Sequence, residues 1–463
     1  MSRMLQVFRA YDRTPLAEVA TDDAEALETK LAAATRAFAD RGAWLSPYQR
    51  VEILRRLASL LDAKREEFAR LIAQEGGKPL TDALVEANRA VDGVRNAAEE
   101  LRNFAGREVP MGLTPASTGR WAFTTKEPVG VTVAISAFNH PLNLIVHQVA
   151  PAIAVGCPII VKPAAMTPLC CLEFVQLVRQ AGLPEPWCET FVTEDNALAE
   201  RLATDPRVAF LSFIGSAGVG WYLRSKLPPG TRCALEHGGA APVIIDRSAD
   251  LDQVIGPLVK GGYYHAGQVC VSTQRIFVHA DIRGEFVQRF AAEVAALRTG
   301  DPLDPVTQVG PLIHPREVNR VEAWVDEARL AGAGVAIGGG RASDTTLLPT
   351  ILLEPPAETK ISRMEVFGPV TAVYGFAELD QAINAANRLP VAFQASIFSR
   401  EIAPALHAAE RLDASAVLIN DHTAFRTDWM PFAGRHQSGL GVGGIPWTMR
   451  ELAEEKMFVL RHA

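Results

Sequence analysis

Cysteine is scarce in this chain of 463 residues: six, at 157, 170, 171, 188, 233 and 270, with no CxxC spacing among them. That usage argues against a disulfide framework and leaves reduced thiols, most of them quiet core residues. A surplus of positive charge is lacking too, since 46 Lys and Arg stand against 53 Asp and Glu for a net charge of −7. No basic footprint for nucleic acid or an anionic membrane follows, and a small molecule is the expected partner. Long hydrophobic runs are absent: the longest, "VAPAIAVGCPIIV" at 149–161, has 13 residues broken by Pro and Gly. A spanning helix needs roughly 20. The opening "MSRMLQVFRAYDR" carries no apolar signal region, so export is unsupported and a cytoplasmic location is expected. Internal repeats and low-complexity tracts are missing as well.

What is present is the composition of a folded protein, 48% hydrophobic and 21% charged. The length exceeds one hydrophobic core, because cores stop growing near roughly 250 to 300 residues, and two or three domains are expected. From about 25 to 105 apolar residues recur at three- and four-residue spacing, which predicts helices, one of them running through "QRVEILRRLASLLDAKREEFARLIAQEGG" to Gly76 and Gly77. Residues 107–128 read as an irregular stretch leading into a polar, exposed strand. Short β-branched runs then alternate with helical segments: "VTVAIS", "PIIVKP", "CETFVT", "VAFLSFIG" and "APVIID", followed by "QRIFVHA", "VTAVYGF", "QASIFS" and "SAVLIN". This alternation predicts an α/β fold with mostly parallel sheets, in two successive series.

The stretch "GQVCVS" sets Cys270 beside glycine and glutamine, and local composition leaves it open between a nucleophile and a small core hydrophobe. A thiol nucleophile needs a base and donors for an oxyanion. Glu236, in "ALEHGGAAP" at the end of an apolar strand, has the half-buried setting that raises a carboxyl pKa and makes a base near neutrality; a plain turn carboxylate is the alternative. Asn139, in "AISAFNHPLN", either aims its amide at an oxyanion or caps a turn. In "FLSFIGSAGVGWYL" a strand ends at Gly215 and Ser216 and a helix starts, with Gly220 one turn in, which suits a phosphate; a ligand-free helix cap is the alternative. Lys162, in "IVKPAAMTP", leaves a strand where α/β sheets collect ligands, or simply points to solvent.

In combination these pieces resemble the aldehyde dehydrogenase superfamily over nearly the whole chain. The resemblance rests on "EGGKP" at 75–79, "FNHPLN" at 138–143, "KPAAMTP" at 162–168, "FIGSAGVG" at 213–220, "EHGG" at 236–239, "GQVCVS", "EVFGPV" at 365–370 and "GRHQSGLGVGG" at 434–444. Glu236 and Cys270 stand 34 positions apart, the family's separation of base and nucleophile. The resemblance implies that Cys270 attacks an aldehyde carbon and that the Asn139 amide and the Cys270 backbone N–H hold the oxyanion of the thiohemiacetal. A hydride then leaves for a nicotinamide, and Glu236 activates the water that hydrolyses the thioester. Members that hand the acyl group to coenzyme A often lack this glutamate, so a free carboxylate is the implied product. For the cofactor, the resemblance implies Lys162 on the adenosine ribose, Gly215, Ser216 and Gly220 at the pyrophosphate, and Glu365 on the nicotinamide ribose. Phe367 would pack near the nicotinamide, Gly239 would leave room for it, and Gly267 would leave room for substrate. No metal is implied.

The implied fold has three parts: a Rossmann-like cofactor domain (1–106 and 129–239), an α/β catalytic domain (240–433) and a small β oligomerisation extension (107–128 and 447–463). The last, through "KMFVLRHA", would pair with a neighbouring subunit in a homodimer or homotetramer. Departures from the family bear on the cofactor. Ala165 stands where NAD-preferring members often have glutamate, whereas Glu194 and Asp195 put carboxylates near the adenine edge; either NAD or NADP is expected, with NAD slightly favoured. His237 replaces the usual leucine beside the base and either tunes Glu236 or is a satisfied turn histidine. "FNHPLN" and "FRTDWMPFAGRHQSG" resemble the branch acting on lactaldehyde, phosphonoacetaldehyde or succinic semialdehyde, which implies a small polar or anionic aldehyde. His140, Arg89 and Arg426 are the candidates to bind its polar group, the alternative being that both arginines are surface ion-pair partners. Val269 argues against the strongest phosphonate readers. Rival expectations are a thioesterase without redox chemistry and a non-catalytic relative.

Overall fold

The computed structural model describes residues 3–462, so residues 1, 2 and 463, at the ends of the expected cofactor domain and extension, lie outside the described residues. A six-stranded sheet runs in the order Gly439–Leu440, Arg232–Glu236, Val208–Ile214, Val131–Ile135, Ile159–Lys162, Cys188–Thr190. All its pairs are parallel except the one made by Gly439–Leu440. Parallel strands covered by helices on both faces need continuous rather than alternating apolar character, and Val131, Val133, Ala134, Ile159, Ile160 and Val161 are all buried. From Val131–Ile135 the chain first adds strands on one side and then, from Val208–Ile214, on the other. Where order reverses in this way the loops diverge and leave a crevice beyond the carboxyl ends of the strands.

A seven-stranded sheet follows, ordered Gly334–Ile337, Thr350–Leu353, Val370–Phe376, Thr273–His279, Ala241–Ile245, Gln394–Phe398, Ala416–Ile419, parallel except for its first strand. Both series of strands read from the sequence are therefore present. The three-stranded antiparallel sheet joins Ala453–Arg461 to Arg120–Pro128 and Glu108–Val109. Before it, the chain end returns to the six-stranded sheet: Gly439–Leu440 pairs beside Glu236, and the helix Ile445–Glu451 packs on the helices Asn143–Val155 and Leu80–Glu100.

Local differences from the sequence reading have physical causes. The segment read as one long helix is two, Pro47–Ala63 and Arg65–Gly76, broken at Lys64 (φ −103°, ψ 12°). The apolar spacing continues across the break and so does not reveal it. The second helix stops at Gly77, left-handed at φ 74°, where a Cβ would lie 2.8 Å from Pro311 Cγ. An N-terminal hairpin, Met4–Phe8 with Pro15–Ala20, was not expected; only Leu5 and Val7 of it are buried, too few for a strand signal.

Candidate active site

Beyond the carboxyl ends of Val131–Ile135 and Val208–Ile214 lies a cavity of about 590 Å³. It brings together Asn139, His140, Gly215, Ser216, Glu236, Cys270, Glu365, Phe367, Arg89 and Arg426. Lys162, Gly220 and Gly239 do not line it.

Cys270 is presented by a distorted turn. After the helix Leu251–Tyr263 the chain passes through three left-handed residues, His265 (φ 49°), Ala266 (φ 52°) and Gly267 (φ 70°). Two of these carry a Cβ, a strain that persists only where the surroundings enforce it. Gly267 does not leave room for substrate: a Cβ there would collide with the Gly368 carbonyl, so the space is filled by backbone. Gln268, which the sequence did not single out, anchors the turn. Its side chain donates to the Pro311 carbonyl (3.2 Å) and accepts from the Ile313 N–H (3.0 Å), while its backbone carbonyl accepts from Asn139 Nδ2 (2.8 Å). The amide of Asn139 is thereby held at the turn that carries the thiol. Burial pushes the Cys270 thiol up to about 12, and the Glu365 carboxylate adds to this; Arg426 opposes it and Glu236 adds further.

Glu236 ends its strand against Gly443, where a Cβ would overlap its carboxylate. Burial raises its pKa and Arg426 works against the rise. Its carboxylate accepts no hydrogen bond among the described residues. His237 also lines the cavity, and its ring holds the neighbouring turn. Its Nδ1 faces the Gly215 carbonyl at 2.9 Å, and since a carbonyl only accepts, that nitrogen carries the proton. The ring sits between Phe213 and Trp221, over Gly220, where a Cβ would collide with it. Gly220 thus makes room for His237, whose Nδ1 is spent on the Gly215 carbonyl and whose Nε2 is buried without a partner.

The other end of the cavity has the features a nicotinamide dinucleotide requires. Ser216 caps the helix Ala217–Lys226 without using its side chain, leaving that hydroxyl and the first-turn N–H groups for an anion. Glu365 lies against Gly238, whose added Cβ would overlap the carboxylate; at Gly239 a Cβ would meet Phe393 Cβ at 3.3 Å and, at 3.8 Å, the Cys270 carbonyl and Ser438 Oγ. The glycine whose smallness matters to Glu365 is therefore 238. Burial pushes Glu365 up to about 8 against the pull of Arg320 and the Gly239 N–H, and its Oε1 is buried without a partner. Phe367, left-handed at φ 50°, sets its ring edge-on to Phe138 at 5.8 Å. An orphaned carboxylate oxygen and an uncapped helix start fit a ribose and a pyrophosphate. Lys162 lies back from the cavity with Nζ 3.3 Å from the Pro163 carbonyl. Ala165 packs against the buried cluster of Leu5, Val7 and Val192, and Asp195 caps the helix Asn196–Ala203 by accepting from Ala197 and Leu198 N–H.

On the third side stands a polar network that the sequence did not disclose. Asp428 accepts from Arg89 Nη2 (2.7 Å) and Nε (3.2 Å), from Asn143 Nδ2 (3.1 Å) and from His147 Nε2 (2.7 Å). These donors hold its carboxyl well below the usual range against its burial. Arg89 is therefore an ion-pair partner, though at the cavity wall and not on the outer surface. Asn143 and His147 are one turn apart on one helix, the spacing that aligns side chains, and that is the signal that could have found them. Burial holds His147 down to about 4, with Arg426 adding to the effect, so its Nδ1 is free to accept from Arg426 Nη2 at 3.3 Å. The Arg426 guanidinium lies 3.5 Å from the Phe432 ring centroid, makes no carboxylate ion pair among the described residues, and leaves Nε buried without a partner. His140 is kept neutral by burial and lies 3.5 Å from the Tyr264 hydroxyl. Among the described residues no cluster of metal-ligating side chains occurs, and no helix is long and apolar enough to cross a membrane.

A model of the aldehyde dehydrogenase family matches residues 1–458. A 3-sulfolactaldehyde dehydrogenase of Priestia aryabhattai is 36% identical over 457 residues, 98% of this chain and 94% of that protein. A lactaldehyde dehydrogenase of Methanocaldococcus jannaschii is 34% identical, covering 89% of this chain and 88% of its own. Among solved structures, aldehyde dehydrogenase 21 from Physcomitrella patens in complex with the reaction product succinate superposes with a TM-score of 0.97 at 31% identity, covering 100% and 96% of the two chains. A glyceraldehyde-3-phosphate dehydrogenase of Methanocaldococcus jannaschii complexed with NADP gives 0.94 at 31% identity, covering 100% and 99%.

Proposed function

The chain belongs to the aldehyde dehydrogenase family and is an NAD(P)-dependent aldehyde oxidoreductase acting on small polar aldehydes; from that premise we propose that its substrate carries an anionic group and that Arg426 receives it. The observation that carries this reading is the isolation of Arg426. It is a half-buried guanidinium, its Nε fully buried without a partner, with no carboxylate ion pair among the described residues, beside Arg89 and in the same cavity as Cys270 and Glu236. An unpaired buried cation is costly unless an anion completes it. The relatives' names point the same way, one being a dehydrogenase of a sulfonated aldehyde and one structure holding succinate.

In this reading the Cys270 sulfur adds to the aldehyde carbon as a thiolate, and its proton passes to Glu236 or to water. The oxyanion formed is met by the second hydrogen of the Asn139 amide and by the Cys270 backbone N–H, donors already in place and so effective in a cavity of low dielectric. Ser216 and Glu365 would hold a nicotinamide cofactor, which would supply the hydride acceptor. The thioester left on Cys270 is hydrolysed by water whose proton Glu236 takes, its raised pKa matching that task near neutrality. Cys270 then leaves as the thiol. Either NAD or NADP serves, and two features leave the 2′ position tolerant: Ala165 has no charge, and Asp195 is committed to capping. We assign the protein to the cytoplasm, where its six free thiols stay reduced. An oligomer through Ala453–Arg461 is proposed as well, because Met457 (55% exposed), Val459 (48%) and, on the paired strand, Trp121 (56%) leave apolar surface on that sheet. A stable monomer at micromolar concentration would contradict it.

The test is an aldehyde panel read by cofactor reduction: succinic semialdehyde, a sulfonated three-carbon aldehyde, lactaldehyde and propanal, each with NAD and with NADP. The anionic members should exceed propanal in kcat/KM by about tenfold or more, the value of a charge-assisted hydrogen bond. Equal use of propanal would remove the anion assignment. Ester hydrolysis without any cofactor reduction would overturn the oxidation itself.

A further inference from the structure

The helix Leu80–Glu100 borders the cavity, yet only one of its charged residues, Arg89, lines it. Asp82, Glu86 and Arg89 are spaced four and then three apart, which puts them along one face of that helix. Each meets a different loop of the site. Arg89 holds Asp428. Asp82 faces the His265 backbone N–H, in the left-handed turn before Cys270. Glu86 is fully buried (0% exposed), and its Oε1 accepts from both the Leu142 and the Asn143 backbone N–H at 3.0 Å.

Those two N–H groups open the helix Asn143–Val155 and have no carbonyl of their own helix to bond, as at every helix start. They also end the short loop that carries Asn139. The second oxygen of Glu86 is bound by Lys78 Nζ, itself fully buried (0% exposed) and 5.7 Å from the Tyr264 ring, at the start of the thiol turn. A buried ion pair is seldom retained for stability, since well-packed apolar residues usually serve as well. Here its geometry joins the loop of Asn139 to the turn of Cys270.

We propose that Glu86 is a positioning residue for the oxyanion: its carboxylate, neutralised by Lys78, fixes the 138–143 loop so that the Asn139 amide stays aimed at the thiol. This rests on the reading of Cys270 as nucleophile and Asn139 as oxyanion donor. The working feature is acceptance at Oε1, and Lys78 serves to keep that carboxylate compensated.

The experiment separates positioning from stability and from nucleophilicity. Glu86→Leu alone strands a buried lysine and is expected to unfold, so two paired variants are compared, Lys78→Met with Glu86→Gln and Lys78→Met with Glu86→Leu. Both lack the charges, but only the first keeps an oxygen acceptor. Two probes are used on folded, cofactor-free protein: p-nitrophenyl acetate, whose reaction with the thiol forms an oxyanion, and iodoacetamide, whose alkylation does not. The glutamine pair should hydrolyse the ester within about threefold of wild type and the leucine pair about 10- to 100-fold more slowly, the penalty of a group misplaced by about 1 Å. Alkylation of Cys270 should be equal in the two. Equal ester hydrolysis in the pairs, or ester hydrolysis and alkylation falling together, overturns the proposal. In the unaltered protein, amide exchange at 142 and 143 should be slow, and exchange as fast as in an unstructured segment would overturn it independently. Retention of ester hydrolysis in Cys270→Ala would show instead that the nucleophile reading has failed.

Discussion

Glu236 lines the cavity and Asp428 lies buried behind Arg89, Asn143 and His147, which line it too, and the two carboxyl groups are in opposite states. Asp428 is surrounded by Arg89, Asn143 and His147 and is held as a carboxylate well below its ordinary range. Glu236 has no donor on its carboxylate among the described residues and is raised by burial. The arginines divide in the same way: Arg89 is committed to Asp428, while among the described residues Arg426 pairs with no acid and has one orphaned nitrogen. Groups whose hydrogen bonds are complete hold the loops in register. Groups left incomplete, namely Glu236, Arg426, Cys270 and Glu365, are those that the proposed function assigns to water, substrate and cofactor. In a cavity of low dielectric an unpaired polar group is expensive, so its persistence marks where a ligand belongs.

The sharpest way to break this division is at the incomplete side. Cys270→Ala should lower aldehyde oxidation by about 10⁴-fold or more, the scale on which loss of a covalent nucleophile acts. Thermal unfolding should barely move, because a half-buried thiol at a cavity wall contributes little beyond its volume. Arg426→Gln comes next. It should raise KM for anionic aldehydes about 10- to 100-fold while leaving propanal almost untouched, in line with charged hydrogen bonds of about 1.5 to 3 kcal/mol. A uniform loss with all aldehydes would place Arg426 among the supporting groups instead. The smallest effect is a slope. The Cys270 thiol without cofactor is pushed up to about 12, so its thiolate fraction grows with pH throughout the neutral range. Iodoacetamide alkylation should therefore rise by about tenfold per pH unit from 7 to 9. A plateau below pH 8 would mean a depressed pKa and a thiolate already stabilised by Arg426.

Much of the architecture was legible because parallel strands announce themselves as short β-branched runs, and "VTVAIS", "VAFLSFIG" and "QRIFVHA" became neighbours in the two large sheets. Cys270, Glu236 and Asn139 were legible as a set, through motif order and the spacing of base and thiol, while their individual surroundings stayed ambiguous. The supporting network was not. Asn143 and Asp428 are separated by 285 positions and Arg89 and Asp428 by 339, and no local pattern links residues so far apart. Gln268 and Glu86 were invisible for a related reason: each acts on backbone groups, which carry no sequence signature. Gly267 shows the opposite error, in which a small residue suggests space for a ligand until the Gly368 carbonyl is found beside it.

The central claim, that Cys270 carries the acyl group and Glu236 releases it, is tested most directly by trapping. Glu236→Gln, incubated with cofactor and an anionic aldehyde, should reduce about one cofactor equivalent per site and then stall. Mass spectrometry of the quenched protein should find the acyl mass on the peptide containing Cys270. Full turnover by Glu236→Gln, or an acyl mass absent from Cys270, would contradict the account.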